Sequence, residues 1–346
     1  MKIIGKVINI KIKPNVSFVL LENGTINQIV IKKDNIREKI ETIKVGDYIE
    51  CIVTKDRNNN SKYNTKYNSF LLSDFKMESR NIRNFELEIN KEYIVEYCKK
   101  KYEIRKYLNR LGYLEVALPI LTNGETSSKA ESFVTTYSKS KEKLFLRKTM
   151  DSFLRMYSCS GFNKIYSIGN CYRNEFLTSR YKPEFEMLSI FSNYLTQKKA
   201  INIAIYILKL ITSNDIKIIY IDENDYKNIN VEDDVFYVIS NYSNLVNSYS
   251  TTNEDNTTDE FKVKYKGITI VHGVNEISDY EEYNKKINEQ GKKKNYGELQ
   301  VLEDLISSGA PPCYNLGISI IRVLSLYNDK KIKDYDFLSF DRLGGK

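Results

Sequence analysis

A single histidine, His272, occurs among the 346 residues, and tryptophan is absent. A Ser-His-Asp triad or a histidine-rich metal centre would therefore depend on that one side chain. The five cysteines are scattered and show no C-x-x-C spacing, which is typical of reduced thiols and argues against a disulfide framework or a cysteine zinc site. No apolar run approaches the roughly 20 residues of a membrane span, and the alternating start MKIIGKVINIKIK is typical of a strand rather than of a signal peptide. We therefore expect a cytoplasmic protein.

The charge is distributed unevenly along the chain. The net charge is +8, and residues 1–80 carry fifteen basic and nine acidic side chains, which amounts to +6 of that total. A basic region of this kind favours a polyanionic partner. Hydrophobic residues make up 41% and charged residues 28%, an ordinary globular composition. Lysine outnumbers arginine by 41 to twelve, so the arginines that are present can mark places where a planar, bidentate guanidinium is needed.

The first 80 residues have the pattern of a small β-domain. Asn23-Gly24 is a strong hairpin signal, and β-branched runs alternate with turn residues on both sides of it. Five short strands are predicted, at residues 2–13, 17–22, 26–32, 48–54 and 69–72. Five strands in about 80 residues favour a barrel of the oligonucleotide-binding (OB) kind. A β-sandwich or an SH3-like barrel remains an alternative at this point.

The rest of the chain predicts a separate α+β domain. Residues 81–90 are polar and mark a hinge, and residues 91–346 form the second domain. Helical spacing occurs at 91–111, 150–158, 197–214, 280–289 and 297–308, strand patterns at 113–116, 164–172, 186–194 and 261–274, and a final strand and helix at 317–327. The absence of a regular βαβ rhythm favours α+β over a doubly wound sheet. Residues 215–260 are acidic and rich in asparagine, and they give no clear pattern.

One predicted strand–loop–strand segment concentrates groups suited to a nucleotide. Arg173 ends the first strand, Glu175 and Arg180 lie in the loop, and Phe185 begins the return strand. Two arginines in such a hairpin can grip different phosphates through charge-assisted forks, and an aromatic ring can stack on a base. A surface hairpin with solvated arginines is the alternative interpretation.

This segment resembles motif 2 of class II aminoacyl-tRNA synthetases, in the form used by the lysyl, aspartyl and asparaginyl group. Gly112 to Val116 with Pro119 resembles motif 1, and Gly309 to Pro312, followed by Gly317 and Arg322, resembles motif 3. Residues 267–279 resemble the strand that holds magnesium and amino acid in these enzymes. The resemblance implies an N-terminal anticodon-binding OB-fold barrel, followed along the chain by a class II catalytic domain with an antiparallel sheet flanked by helices. It also implies a homodimer formed through motif 1.

The resemblance assigns roles to individual residues. Arg173 would be catalytic and would hold the α-phosphate of ATP and the amino-acid carboxylate, while Glu175 would contact the nucleotide and Arg180 its terminal phosphate. Phe185 would stack on one face of adenine, and Arg322, also catalytic, would cover the other. The carboxylate then attacks the α-phosphorus to give an aminoacyl-adenylate, a reaction in which positioning and charge stabilisation dominate. In the barrel, Phe18 and Gln28 match positions that contact an anticodon base, although Phe18 also fits a core strand residue.

The amino-acid and metal positions depart from the family pattern. By resemblance, Asp151 would bind the α-amino group, and the side-chain pocket would be formed by Ser189, Phe191, His272 and Glu276. Ser189 replaces an acidic residue of the lysyl enzymes. A structural role for His272 in its strand is an equal alternative. Mg²⁺ is expected at Glu276 and Asp279, although Thr269 stands where the family has a metal-binding carboxylate and Ile321 replaces the acid before Arg322.

The sequence therefore leaves several functional hypotheses open. The first is ATP-dependent amino-acid activation with transfer to tRNA. The second is a shortened, divergent paralogue that transfers the activated amino acid to ammonia, a small amine or a protein lysine. The third is a non-catalytic regulatory paralogue, motivated by the carboxylates missing at Thr269 and Ile321. A plain oligonucleotide-binding protein is disfavoured because it leaves the motif 2 segment unexplained.

Overall fold

The structure is a computed structural model of the 346-residue chain. It describes residues 1–32, 42–55, 67–81, 91–126, 130–176, 178, 181–212, 215–243, 250–289 and 298–335. The chain divides into two compact units, Met1–Glu88 and Ile89–Lys346. Residues 82–90 of the predicted hinge lie outside the described residues.

The N-terminal unit is a closed barrel of five strands in the order β1-β2-β3-β5-β4, namely β1 (Lys2–Ile12), β2 (Val16–Glu22), β3 (Ile26–Lys32), β4 (Tyr48–Lys55) and β5 (Asn68–Ser79). Gly24 has a φ of +90° in the β2–β3 turn, a conformation that glycine adopts without strain. Apolar side chains of all five strands fill the interior. The barrel confirms the OB-like expectation.

Strand β5 is much longer than the sequence indicated. It continues past the predicted end at residue 72 to Ser79 and closes the barrel against β4. The polar residues Asp74 and Lys76 concealed this continuation, because they alternate with Phe75 and Met77, which pack on the barrel interior.

The second unit is built on an eight-stranded sheet in the order β12-β13-β16-β17-β18-β11-β10-β6. Its strands are β6 (Leu114–Glu115), β10 (Lys164–Tyr172), β11 (Glu184–Asn193), β12 (Lys217–Asp222), β13 (Val235–Ser240), β16 (Glu260–Tyr265), β17 (Ile268–Glu276) and β18 (Cys313–Ile318). All pairs are antiparallel except β10 with β6 and β12 with β13. Short strands form two smaller sheets, namely β7 (Leu121–Thr122), β8 (Val134–Thr136) and β9 (Lys143–Leu146), and β14 (Tyr242–Ser243) with β15 (Thr257–Thr258).

The described helices of this unit are α1 (Lys91–Arg110), α2 (Asp151–Cys159), α3 (Gln197–Ile211), α4 (Glu223–Tyr226), α5 (Tyr280–Glu289), α6 (Glu298–Ser307), α7 (Ile320–Tyr327) and α8 (Ile332–Tyr335). Helices and a mainly antiparallel sheet confirm the α+β class and the class II catalytic architecture. The segment that the sequence left uninterpreted contributes β12 and β13 to one edge of the sheet. Among the described residues, no helix combines the length and the apolar character needed to cross a membrane.

The two faces of the large sheet have different coverings. Ile190 of β11 and Leu316 of β18 pack with Leu208 of α3 in the main core. The next residue along β11, Phe191, points to the opposite face and packs with Leu154 of α2. Polar side chains of β11, β17 and β18 share this second face, which we call the site face.

Candidate active site

The hairpin of β10 and β11 places Arg173 and Phe185 together. Cys171 pairs with Phe185 in the strand register, and the backbone N–H of Arg173 donates to the Pro183 carbonyl at 2.7 Å. The guanidinium carbon of Arg173 lies 5.0 Å from the centroid of the Phe185 ring, within cation–π distance. Nε of Arg173 is buried and has no hydrogen-bond partner among the described residues. A buried cationic donor of this kind is ready for an anionic acceptor.

Arg322 reaches the same cleft from α7. Its guanidinium carbon lies 5.5 Å from the centroid of the Tyr181 ring, and its Nη1 donates to the Thr269 carbonyl at 3.5 Å. Burial lowers the pKa of Arg322, and the charge of Arg173 lowers it further. A bound anion would relieve the repulsion between the two guanidinium groups, which makes this end of the cleft suited to phosphate.

The cleft has a volume of about 500 Å³, including space open to solvent. Four of the predicted ATP-binding residues line it, namely Arg173, Glu175, Phe185 and Arg322. Ile321 also lines the cleft, so the position that lacks the family's acid lies beside the predicted nucleotide. Arg180, the residue predicted to bind the terminal phosphate, lies outside the described residues.

Two carboxylates meet on the site face near this cleft. Asp151 begins α2, and Glu276 ends β17. Burial raises the pKa of Asp151, while a hydrogen bond from Asn315 and the charge of Arg173 lower it. Burial also raises the pKa of Glu276, to about 7, with the Asp151 charge adding to the rise and the buried Arg155 opposing it. The pair is suited to a cation, because a positive charge would stabilise both ionised carboxylates.

Asn315 connects these carboxylates and was not singled out by the sequence reasoning. Its Nδ2 donates to Oε1 of Glu276 at 3.0 Å, whereas its buried Oδ1 has no hydrogen-bond partner among the described residues. The signal that could have found it is strand alternation. Asn315 lies two residues before Gly317 on β18, which begins earlier than the strand predicted from residue 317, so the two positions share a face.

The side-chain pocket predicted for the amino acid is only partly assembled. Ser189 pairs with Gly317, and Gly317 pairs with His272, so these three positions form one row across the site face. Phe191, in contrast, is 1% exposed and packs with Met150 and other apolar side chains. The structure therefore places Phe191 in a supporting layer rather than on an open surface.

The predicted magnesium ligands do not come together. Oδ1 of Asp279 accepts the backbone N–H of Glu282 at 2.7 Å and thereby caps the first turn of α5. Glu276 is bound by Asn315, and Thr269 supplies no carboxylate. Within the described ranges, no group of three or more His, Cys, Asp or Glu side chains could hold a metal ion. These residues do not fit a protein-held Mg²⁺, which requires a set of oxygen ligands.

The predicted anticodon residues lie side by side on the barrel. Phe18 pairs with Val30 and Leu20 with Gln28, and their neighbours Val19 and Leu21 point into the barrel interior. Phe18 is therefore on the outer face, and the expectation that it is a core residue is wrong, because the inward positions of β2 are the odd-numbered ones. Lys13 Nζ lies 5.7 Å from the Phe18 ring centroid, and Gln28 Nε2 donates to Ser69 Oγ at 3.3 Å.

The fold and the cleft thus have the features of a class II synthetase domain, and comparison with known proteins agrees. Residues 74–233 match the family model of class II tRNA synthetases (D, K and N). This match, together with the similar proteins described next, confirms the resemblance seen in the sequence.

The individual proteins to which the chain is similar are lysine–tRNA ligases. That of Buchnera aphidicola is 24% identical over 97% of this chain and 85% of the relative, and that of Wigglesworthia glossinidia is 24% identical over 96% and 86%. The Enterococcus faecalis enzyme is 34% identical, over 32% of this chain and 23% of the relative. The alignment with the Buchnera protein spans 434 positions, so that relative has residues that this 346-residue chain lacks.

Proposed function

We propose that this chain activates an amino acid with ATP and forms an aminoacyl-adenylate. The observation that carries the proposal is the convergence of Arg173 and Arg322 on one cleft, beside the Phe185 ring. The family match and the lysine–tRNA ligase relatives support it. An amino acid, ATP and an acceptor are the substrates that such a reaction requires.

In this mechanism, a carboxylate oxygen of the amino acid attacks the α-phosphorus of ATP, and pyrophosphate leaves. The attacking oxygen carries no proton, so the step requires no general base. Arg173, with its unpaired buried Nε, would bind the α-phosphate and the carboxylate and stabilise the charge that develops between them. Phe185 and Arg322 would hold the adenine, which aligns the reacting atoms. Catalysis therefore depends on positioning the substrates and stabilising charge, and it requires no histidine as a general base.

We propose tRNA as the acceptor, with the basic barrel as its docking domain, and a homodimer in the cytoplasm as the working form. The net charge of +6 over residues 1–80 suits phosphate contacts. Strand β6 is the edge strand of the large sheet, and Leu114 on it is 52% exposed, as a pairing surface would be. Light scattering of the purified chain tests the dimer, and a monomer at working concentration would contradict it.

We do not assign lysine, the substrate named for the relatives, to this chain. A lysine side chain carries a charged ammonium that calls for an acidic partner, and Ser189 stands where the lysyl enzymes have one. Ser189 and Thr269 motivate the second hypothesis, a paralogue that uses another acceptor, so the experiment also tests that hypothesis.

The test is amino-acid-dependent exchange of pyrophosphate into ATP, measured with each of the twenty amino acids. Exchange with one amino acid supports activation, and transfer to tRNA then supports the acceptor. AMP release with ammonia or an amine, and none with tRNA, would favour the paralogue instead. ATP binding without exchange for any amino acid would contradict activation and favour the regulatory protein.

A further inference from the structure

A fully buried carboxylate lies next to His272 on the site face. Glu260 on β16 is 0% exposed, its Oε1 lies 3.3 Å from Nζ of Lys262, and its Oε2 lies 3.6 Å from Nε2 of His272. Burying a charge is unfavourable unless partners compensate it, and Lys262 already supplies one positive charge. The contact with His272 therefore calls for a separate explanation.

The row that contains His272 crosses the site face, and we call the position above Gly317 in this row the slot. Ser189, Gly317 and His272 follow one another on three adjacent strands, and Lys262 continues the row on β16. Adjacent strands are about 4.8 Å apart, so the backbones of Ser189 and His272 are separated by about 10 Å. A Cβ at Gly317 would meet only ordinary contacts, 3.5 Å from Met187 Cε and 3.9 Å from the His272 carbonyl oxygen. Gly317 therefore places no side chain between Ser189 and His272.

The two ring nitrogens of His272 have different surroundings. Nε2 is buried and has no hydrogen-bond partner among the described residues, and Glu260 is its close carboxylate at 3.6 Å. The side chain as a whole is 40% exposed, so the exposed part of the ring lies away from Nε2. A carboxylate that faces one nitrogen of a neutral imidazole favours the proton on that nitrogen. The other nitrogen, Nδ1, is then a hydrogen-bond acceptor.

We propose that Glu260 orients His272 so that Nδ1 accepts a hydrogen bond from the side chain of the bound amino acid, in the slot above Gly317. The inference rests on the proposed function and names its substrate class, a short side chain with an uncharged N–H or O–H donor. Glu260 is a positioning residue, and His272 and Ser189 are specificity residues.

The charges around the slot determine this class. Ser189 is neutral and Glu260 is matched by Lys262, so neither side of the slot presents an unpaired charge. A side-chain carboxylate would face the Nδ1 lone pair with Glu260 behind it. An apolar side chain would leave the polar groups of Ser189 and His272 without partners, which weakens binding. The paired acids, Asp151 and Glu276, stand at the Asn315 end of the site, about 6.7 Å along β18 from Gly317.

The test uses the fact that the chain has one histidine. Nitrogen NMR of the full chain with ¹⁵N-labelled histidine shows a single imidazole, and we expect the Nε2–H tautomer. Saturation with an accepted amino acid, chosen from asparagine, glutamine, serine and threonine, should shift Nδ1. Lysine, aspartate and alanine should leave it unchanged. An Nδ1–H tautomer in the free protein, or a response only to a charged amino acid, would overturn the proposal.

Variants separate positioning from folding. Glu260→Gln should abolish the single tautomer and raise the KM for the amino acid about five- to tenfold, as expected for one weakened hydrogen bond, with kcat and the KM for ATP unchanged. Glu78→Gln is the matched control, since Glu78 pairs with a lysine two residues away on an exposed strand. If Glu260→Gln does not fold, Gly317→Ala fills the slot within ordinary contact distances and should raise the same KM. An unchanged KM in the folded variant would overturn the proposal.

The proposal and the proposed function fail in different ways. Pyrophosphate exchange with no response of His272 to the activated amino acid overturns the proposal and leaves activation standing. A response of His272 without exchange leaves amino-acid binding standing and contradicts activation. Absence of both contradicts both.

Discussion

The two ends of the candidate cleft differ in how closely they follow the class II pattern. At the phosphate end, Arg173, Phe185 and Arg322 occupy one cleft, as the resemblance implies. At the amino-acid end, Ser189 stands in place of an acidic residue of the lysyl enzymes, and Asn315 binds Glu276. Under the proposed function, this difference is what a common reaction with a changed substrate requires, because the phosphates of ATP are the same for every amino acid whereas the side-chain pocket must change with it.

The comparison of the phosphate end with the amino-acid end also concerns the expected Mg²⁺ site. The arginines at the phosphate end supply positive charge, and the described acids near them are used otherwise. Glu276 is bound to Asn315, and Asp279 caps α5. Asn315 thus binds a carboxylate that the resemblance assigns both to the amino-acid pocket and to Mg²⁺.

The largest expected effect is at the phosphate end. Arg173→Ala should lower the rate of pyrophosphate exchange by about 10²–10³-fold, because it removes a preorganised cation from the charge that develops at the α-phosphorus. The measurement is steady-state exchange, with Arg80→Ala as a control that removes an exposed arginine of the barrel. Equal rates for the two variants would show that the phosphate end is not catalytic.

Phe185→Ala should have the next largest effect. Stacking of a base on an aromatic ring contributes about 1–3 kcal/mol, so the KM for ATP should rise about five- to 100-fold, and the KM for the amino acid should change little. Tyr220→Ala, which removes a ring that is 62% exposed on β12, is the control. A larger change in the KM for the amino acid than in the KM for ATP would show that Phe185 does not act specifically on ATP binding.

We expect the KM for the amino acid to depend on pH and the KM for ATP to be nearly independent of it. The pKa of Glu276 is raised to about 7, so protonation removes its negative charge as the pH falls through 7, and the pKa of Asp151 is shifted in the same direction. The KM for the amino acid should therefore rise about tenfold between pH 8 and pH 6, because its ammonium group loses an ionised partner, while the KM for ATP stays nearly constant. Glu276→Gln should flatten the profile. A profile unchanged by that substitution would assign the titration to another group.

The sequence predicted the local parts of the site and missed the non-local ones. Arg173 and Phe185 belong to one hairpin, so alternation and turn residues were enough to place them together. The bond between Asn315 and Glu276 joins residues 39 positions apart and depends on the register of β17 and β18. No local pattern encodes that register, since a shift by one residue would turn Asn315 to the other face.

The smallest expected effect isolates Asn315. Asn315→Ala removes the donor to Glu276 and leaves both carboxylates in place, so the KM for the amino acid should rise about threefold to tenfold, as for the loss of one ordinary hydrogen bond. The pH at which that KM changes should also move upward, because the Asn315 hydrogen bond lowers the pKa of Glu276 and its loss favours the protonated acid. The readout is the KM profile between pH 6 and pH 8, with Asn275→Ala on β17 as the matched amide control. A pH midpoint that moves downward, or moves equally in the control, would show that Asn315 does not govern this carboxylate and that the amino-acid end is organised by another contact.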